Sequence, residues 1–486
     1  IQLPNSRQTT TEVTIRAVGE DPKARRGGTR ITLDSATGEV IEPRDTRGGG
    51  FLYRFHFELY GLPRLWTRWL VGIATMFMLV AIVSGIITHK KIFKDFFTFR
   101  SGKGQRSWLD AHNATAVFAL PFHLMITFSG LLLLMFMFMP WGINQAYENR
   151  QQFLRDQQAS MIEQPQKAED VPREGERAAR GERGQQRGEH AQGRGEERPS
   201  QPELRPATLT DLAPIMAAVQ QQWKDNPIAS INIISPNTDQ AKIELRALRA
   251  ESVAHRNVYA TLNYNGVTGQ DETDKNIRIK NPSIPSGIYN VVTVLHEARG
   301  LDLALRWLLF CSGILGTLMV ATGLILWCVK RAPQQQKQGY KSFGFRLVEV
   351  LNIAAIIGLP LACAAYFYAN RFIPADVEMR LNWEIRSFFT IWLLTLIYAI
   401  FRTHRQAWLD LLLLATLAFA LLPVVNLMTG GQALWNSVGQ GQWMIASVDL
   451  AMWVMAVIFY FAYDKVKKHQ GLPNKKVKVP VQEAEA

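Results

Sequence analysis

The sequence predicts a mainly α-helical, polytopic membrane bundle with small external α+β modules. Three observations predict it. Seven stretches of about 20 apolar residues are each long enough to cross a bilayer. Two polar regions between such stretches alternate apolar and polar residues as half-buried strands do. Lys and Arg crowd alternate loops, as they do on the inner side of a membrane.

Residues 1–60 form the first external segment. Residues 13–16 and 30–33 read as strands, Asp34-Ser35-Ala36-Thr37-Gly38-Glu39 as a turn, and Val40-Ile41 follows. An aromatic stretch, 51–62, carries His56 just ahead of the first span. Residues 61–139 hold two spans, 66–88 and 111–139, around a basic loop with Lys90, Lys91, Lys94, Arg100, Lys103 and Arg106. Residues 140–303 are the second external region. Its 164–203 part is rich in Arg, Glu, Gln and Gly and nearly devoid of apolar residues, so it cannot bury enough surface to offset chain entropy and is expected to be disordered. Within 204–290, residues 208–223 read as an amphipathic helix capped at Thr210 or Asp211. Residues 230–234, 242–245 and 258–262 then alternate as strands. Asn265, two residues, then Thr268-Gly269-Gln270 repeats the pattern of Asp34, two residues, then Thr37-Gly38-Glu39, which predicts two copies of one small unit, the first incomplete. Residues 304–463 supply five spans, 304–329, 347–369, 387–401, 408–428 and 444–463, the 387–401 stretch borrowing Trp383 and Phe401. A basic tail, 464–486, ends the chain.

The basic loops 89–107 and 330–346 and the tail are assigned to the cytoplasmic side, and the two external regions to the opposite side. That explains much of the net charge of +13, so no nucleic acid partner is expected. The sequence opens at Ile1 on the outer side, which leads us to expect a further upstream span. Cys311, Cys328 and Cys363 all lie in spans without CxxC spacing and read as small apolar residues.

Two histidines carry the chemistry. His112 in Trp108-Leu109-Asp110-Ala111-His112 and His123 in Leu120-Pro121-Phe122-His123 are eleven residues apart. On one straight helix their imidazoles would lie about 20° apart around the axis and about 16 Å apart along it. An ionisable group within a bilayer is costly and marks a functional site by default, and neutral imidazole is the commonest metal ligand. Such a pair fits axial ligands at two depths, as in stacked b-type haems. The competing reading is a helix–helix hydrogen bond plus an interfacial histidine. His89 closes the first span on the inner side, while His56 and His296 lie a few residues outside spans on the outer side, so the five would form a ladder. For these three, interfacial or domain-docking polarity is the alternative. His404 reads as part of a basic anchor, and His190, His255 and His469 lie in polar segments. Arg54, Arg64, Arg68, Arg299 and Arg306 sit on the outer side, candidates for haem propionates or an anionic ligand, or else for lipid headgroups. Gly313, Gly316 and Gly323 permit close approach of a porphyrin or simply of another helix.

Ser84-Gly85-Ile86-Ile87-Thr88-His89-Lys90-Lys91, Arg106-Ser107-Trp108-Leu109-Asp110-Ala111-His112-Asn113 with Leu120-Pro121-Phe122-His123, and Leu295-His296-Glu297-Ala298-Arg299 ahead of Leu305-Arg306-Trp307 form a recognisable set. Through them the chain resembles the PepSY-associated transmembrane helix family, bacterial inner-membrane proteins linked to iron acquisition. The likeness covers 51–139 and 290–330, and the two Thr-Gly turns resemble the PepSY hallmark. It implies a protein with two b-type haems. Some members resemble ferric-siderophore reductases of the ferrioxamine type, which reduce Fe(III) in a periplasmic siderophore. Members also have a first span with a Trp-Leu-His-type sequence, which this chain lacks. The last four spans rest on length and hydropathy alone.

No glycine-rich loop follows a strand and opens a helix, so no nucleotide or flavin site is expected. Electrons would come from quinol or a separate reductase. The expected function is transfer of electrons across the bilayer to a ferric siderophore or other iron chelate. The non-enzymatic alternative is a PepSY scaffold or regulator that binds a periplasmic partner. A permease is disfavoured, because the spans show neither an inverted repeat nor paired broken helices.

Overall fold

The computed structural model describes residues 1–5, 8–17, 27–89, 92–96, 98–148, 150–163, 204–275 and 277–469. The expected disordered stretch 164–203 and most of the basic tail lie outside the described residues. Two compact units emerge, Ile1–Glu42 with Met125–Leu309 and Pro43–Leu124 with Phe310–Ala486. The strands are β1 (Thr11–Ile15), β2 (Thr29–Leu33), β3 (Val40–Ile41), β4 (Ile162–Glu163), β5 (Ile228–Ile234), β6 (Lys242–Ala250), β7 (Tyr259–Asn265) and β8 (Arg278–Ile279). The main helices are α1 (Gly48–Phe55), α2 (Arg64–Thr88), α3 (Gln105–Phe118), α4 (Leu120–Leu133), α5 (Leu212–Trp223), α6 (Ile284–Glu297), α7 (Leu303–Gln338), α8 (Phe343–Phe372), α9 (Arg380–Phe401), α10 (His404–Met428) and α11 (Trp443–Lys468).

In the first unit, β1-β2-β3 and β5-β6-β7 are antiparallel meanders. The first residues of the chain join them. Gln2 bridges both Glu12 and Ser230, and Leu3 donates its N–H to the Ala229 carbonyl at 2.9 Å. Directly paired residues share a face, so Gln2, Glu12, Thr32, Ser230, Arg246 and Thr261 form one polar side. The other side is apolar. Asp211 caps α5 by accepting the Ala213 N–H at 3.0 Å, and α5 lays Ile215 and Val219 on Ile231, Ile243, Leu245, Leu262 and Tyr264. Ile1 and Leu3 pack at the margin of that core.

The repeated turn is built bond for bond. Asp34 Oδ1 accepts the N–H groups of Ala36 and Thr37 at 2.8 and 3.0 Å, and Asn265 Oδ1 accepts those of Val267 and Thr268 at 2.9 and 3.0 Å. Gly38 and Gly269 close the two turns at φ of +74° and +71°, each donating its N–H back to the Asp34 or Asn265 carbonyl at 2.9 Å.

Among the described residues, six helices are long and apolar enough to cross a membrane, and a seventh crossing results if α3 and α4 form one bent span. The chain is a multi-pass membrane protein by this measure. The bent pair corrects the sequence reading, which put both histidines on one straight helix within 111–139. The axis turns by 66° between α3 and α4. Pro121 causes it: proline has no N–H to give the Val117 carbonyl, and its ring crowds that carbonyl. The helical run also begins earlier than expected, at Gln105, and after Leu133 adds one more turn, Met135–Phe138.

In the second unit, α8, α10 and α11 enclose an apolar core around Ile353, Ile357, Leu411, Ala415, Phe419 and Phe459. Pro360 interrupts the α8 ladder, which widens to a π-helical turn at Ala354–Gly358. The Trp392 indole N–H donates to the Ala354 carbonyl at 2.9 Å. Helix α9 starts seven residues before the expected 387 and brings a buried ion pair the sequence reading missed. Arg380 meets Glu384 at 2.7 Å with both side chains almost wholly buried. Glu384 also accepts from Asn370 Nδ2 and Thr46 Oγ1, each at 2.9 Å, and from the Arg47 N–H at 3.1 Å. Arg380 donates to the Asn370 and Asp45 carbonyls. The pair thus ties residues 45–47 to the bundle, and α1 follows with Phe51 and Phe55 against Phe388 and Phe389.

Candidate functional site

Helix α7 supplies the surface on which two of the predicted histidines meet. Gly316 and Gly323 are two turns apart and therefore lie on one face. A Cβ at Gly323 would stand 3.1 Å from His112 Cε1 and 3.3 Å from its Nδ1. A Cβ at Gly316 would stand 3.1 Å from His123 Nε2. Each imidazole occupies a notch that a larger residue would fill. The bend at Pro121 therefore does not separate the pair: His112 on α3 and His123 on α4 still address one helix.

The hydrogen bond of His112 fixes its chemistry. Nδ1 lies 3.0 Å from the Met319 carbonyl oxygen, which can only accept. Nδ1 therefore holds the ring proton and Nε2 carries the lone pair. Metal-ligating histidines commonly donate their other N–H to a backbone carbonyl in this way. His296, in the first unit, also meets a polar group through Nδ1. Its Nδ1 is 2.7 Å from Ser129 Oγ, while that hydroxyl is 2.6 Å from the Met125 carbonyl of its own helix. His123 is 2 % exposed, and its ring lies against Phe122 as well as Gly316.

His56 and His89 are exposed residues that follow the last turns of α1 and α2, and neither is brought to the Gly316–Gly323 face. The candidate arginines are mostly engaged by carboxylates. Glu58 meets Arg68 at 2.6 Å and Arg64 at 3.2 Å. Glu297 meets Arg256 at 2.7 Å and Arg299 at 3.7 Å. Arg306, half-buried near the start of α7, makes no ion pair among the described residues.

The structure also gives roles to motif residues that the sequence left without any. Buried Asp110 accepts the Arg100 N–H at 3.0 Å. Ser107 Oγ donates to the Arg100 carbonyl at 2.5 Å and accepts the Lys103 N–H at 2.8 Å. Together they pin the loop that leads into α3, and so set where His112 enters. Their spacing, three and six residues after Gly104, carried the signal of a loop folded back on its helix. Among the described residues, no group of three or more His, Cys, Asp or Glu side chains could hold a bare metal ion.

A family model described as the PepSY-associated TM region matches residues 2–330. That range includes both histidines, both glycines and Met319, and ends before α8. No curated protein matches the chain.

Proposed function

The chain belongs to the PepSY-associated TM region family, and from that premise we propose that it is a haem-carrying oxidoreductase of the bacterial inner membrane. It would pass electrons from quinol or a separate reductase to a periplasmic ferric siderophore or other iron chelate, reducing Fe(III) to Fe(II), with its C-terminus in the cytoplasm. One observation carries the reading: His112 presents the Nε2 lone pair with Nδ1–H locked on the Met319 carbonyl and the ring seated on Gly323. The donor set fits a haem better than a bare ion. No multi-carboxylate or multi-imidazole cluster is available among the described residues, and haem iron asks the protein for only one or two imidazoles. His112 and His123, at two depths, would each hold a haem, with His89, His56 and His296 as candidates for the remaining ligands. When bound, a haem supplies reversible one-electron chemistry. The chain does the positioning: Met319 holds the proton on Nδ1, the glycines set ring depth, and Asp110 and Ser107 fix the entry of α3.

The test is the pigment. Protein purified from haem-replete cells is expected to show a reduced-minus-oxidised b-type spectrum, and a colourless folded preparation would sink the reading. His112→Ala and His123→Ala are each expected to lose haem and slow ferric-chelate reduction at least tenfold without loss of insertion. Unchanged haem in both variants would remove these ligands.

A second reading is favoured by the sheet of the first unit. Ile15 and Val40 stand exposed on its apolar side, which suits a PepSY module that binds a periplasmic partner without catalysis. On that reading deleting 204–290 would abolish function in cells while haem content is irrelevant to it.

A further inference from the structure

Helix α9 carries a further face that its buried ion pair does not use. Asn382, Ile385, Arg386, Phe389 and Thr390 stand at i, i+3, i+4, i+7 and i+8, along one side of the helix. Tyr60, in the segment between α1 and α2, closes that side by stacking on Phe389, with ring centroids 5.5 Å apart and planes at 24°. The six residues line a groove of about 320 Å³. From Asn382 to Thr390 it extends about 12 Å along the helix axis. It begins close to the Arg380 end of a span, and so runs from the edge of the bilayer into its apolar layer.

The chemistry is graded along that length. Asn382 and Arg386 supply amide and guanidinium N–H groups toward the helix end, while Ile385 and Phe389 supply apolar wall. Arg386 is exposed, and its guanidinium carbon lies 4.8 Å from the centre of the Trp383 ring. Among the described residues it forms no ion pair. The neighbouring charges, Arg380 and Glu384, cancel each other in their buried pair. Arg386 therefore gives the groove a net positive charge at the depth where a bilayer places its phosphates. Helical side chains lean toward the N-terminus, here the membrane edge, so Arg386 can reach that level while its stem stays on apolar surface.

We propose that this groove binds one anionic phospholipid, with its phosphodiester on Arg386 and Asn382 and an acyl chain along Ile385, Phe389 and Thr390. Charge names the occupant, because an uncommitted guanidinium presents a fork of N–H groups that matches a phosphate. Size agrees. The volume lies at the small end of ligand pockets, which run from about 300 to 1,000 Å³, and is too little for a helix about 10 Å across from a second copy. A lipid held between Tyr60 and α9 would tie the segment that leads into α2 to the bundle.

The experiment is native mass spectrometry of the full chain, released from detergent micelles with added phosphatidylglycerol or phosphatidylcholine of the same acyl chains. One phosphatidylglycerol is expected to stay on each chain, bound at least tenfold more tightly than phosphatidylcholine. Arg386→Gln should erase that preference, and Thr390→Trp, which fills the groove, should weaken both lipids. Arg54→Gln, at an exposed arginine outside the groove, should leave the preference unchanged. Circular dichroism reports that each variant keeps its helices. Equal retention of the two lipids by the unaltered chain overturns the proposal, as does equal loss from Arg386→Gln and Arg54→Gln. Displacement of the lipid by millimolar inorganic phosphate overturns it in favour of a free anion. A quinone that stays on the chain in place of the lipid, and is lost with Thr390→Trp, overturns it in favour of the electron donor. None of these readouts depends on haem.

Discussion

At Gly323 a single added methyl group would already press on the His112 ring, so Gly323→Leu is expected to expel the imidazole and break its bond to Met319. Most of the pigment should be lost while insertion is normal. Gly313→Leu is the control, since nothing lies within 4 Å of a Cβ there. Equal pigment in both variants would show that the notch is not required. Elsewhere at this scale, the two matched turns are expected to part company in acid. The N–H groups of Thr37 and Ala36 hold the Asp34 carboxyl below its ordinary value. The folded state thus favours the charged form, and the turn's contribution is complete above the ordinary value near pH 4 and is lost as pH falls through the lower folded value. Asn265 makes the same bonds and does not titrate. Amide exchange at Ala36 and Thr37 should therefore quicken below about pH 4 relative to Val267 and Thr268; parallel behaviour of the two pairs would refute the assignment. The sequence already showed the two turns and the histidine pair, because Asx turns and apolar runs are local signals. It could name Gly316 and Gly323 as sites of close approach but not which ring enters which, since that depends on the register between α7 and the α3–α4 pair.

Among the elements, α9 shows why span boundaries drift. Arg380, Asn382 and Glu384 depress hydropathy and pushed the expected start to 387, yet the two charges are four residues apart and cancel on one helix face. Their burial became legible only once Thr46, the Arg47 backbone and Asn370 were seen to satisfy the remaining lone pairs. Removing one partner leaves an uncompensated buried charge, so Arg380→Met should destabilise the bundle by about 3–5 kcal/mol. Pairing it with Glu384→Leu should recover a large part of the loss. Thermal unfolding in detergent, with protease sensitivity at residues 43–60, measures both; equal damage from the single and double variants would contradict a coupled pair. The break at Pro121 was visible as a proline inside an apolar run. The straight-helix expectation failed because proline's missing N–H outweighed the apolar continuity around it.

For the whole molecule, the orientation proposed from the basic loops can be checked by labelling. In a chain freed of its own cysteines, Gln440→Cys is expected to react with an impermeant maleimide on intact spheroplasts, and Gln338→Cys only after permeabilisation. The reverse pattern would invert the topology. The order of spans was legible because membrane helices advertise themselves by length and hydropathy. The helix of residues 208–223 was legible from its cap and apolar stripe, but its seating on Ile231, Ile243 and Leu245 was not, because that depends on contacts between segments far apart in sequence. The seven-residue step between the glycine notches has one more consequence. Each residue inserted into a helix turns everything beyond it by about 100° and advances it by about 1.5 Å. The eleven residues from His112 to His123, with their bend, and the seven from Gly316 to Gly323 are therefore two rulers cut to a common mark. Loops elsewhere can lengthen freely, but neither ruler can gain or lose a residue unless the other changes with it.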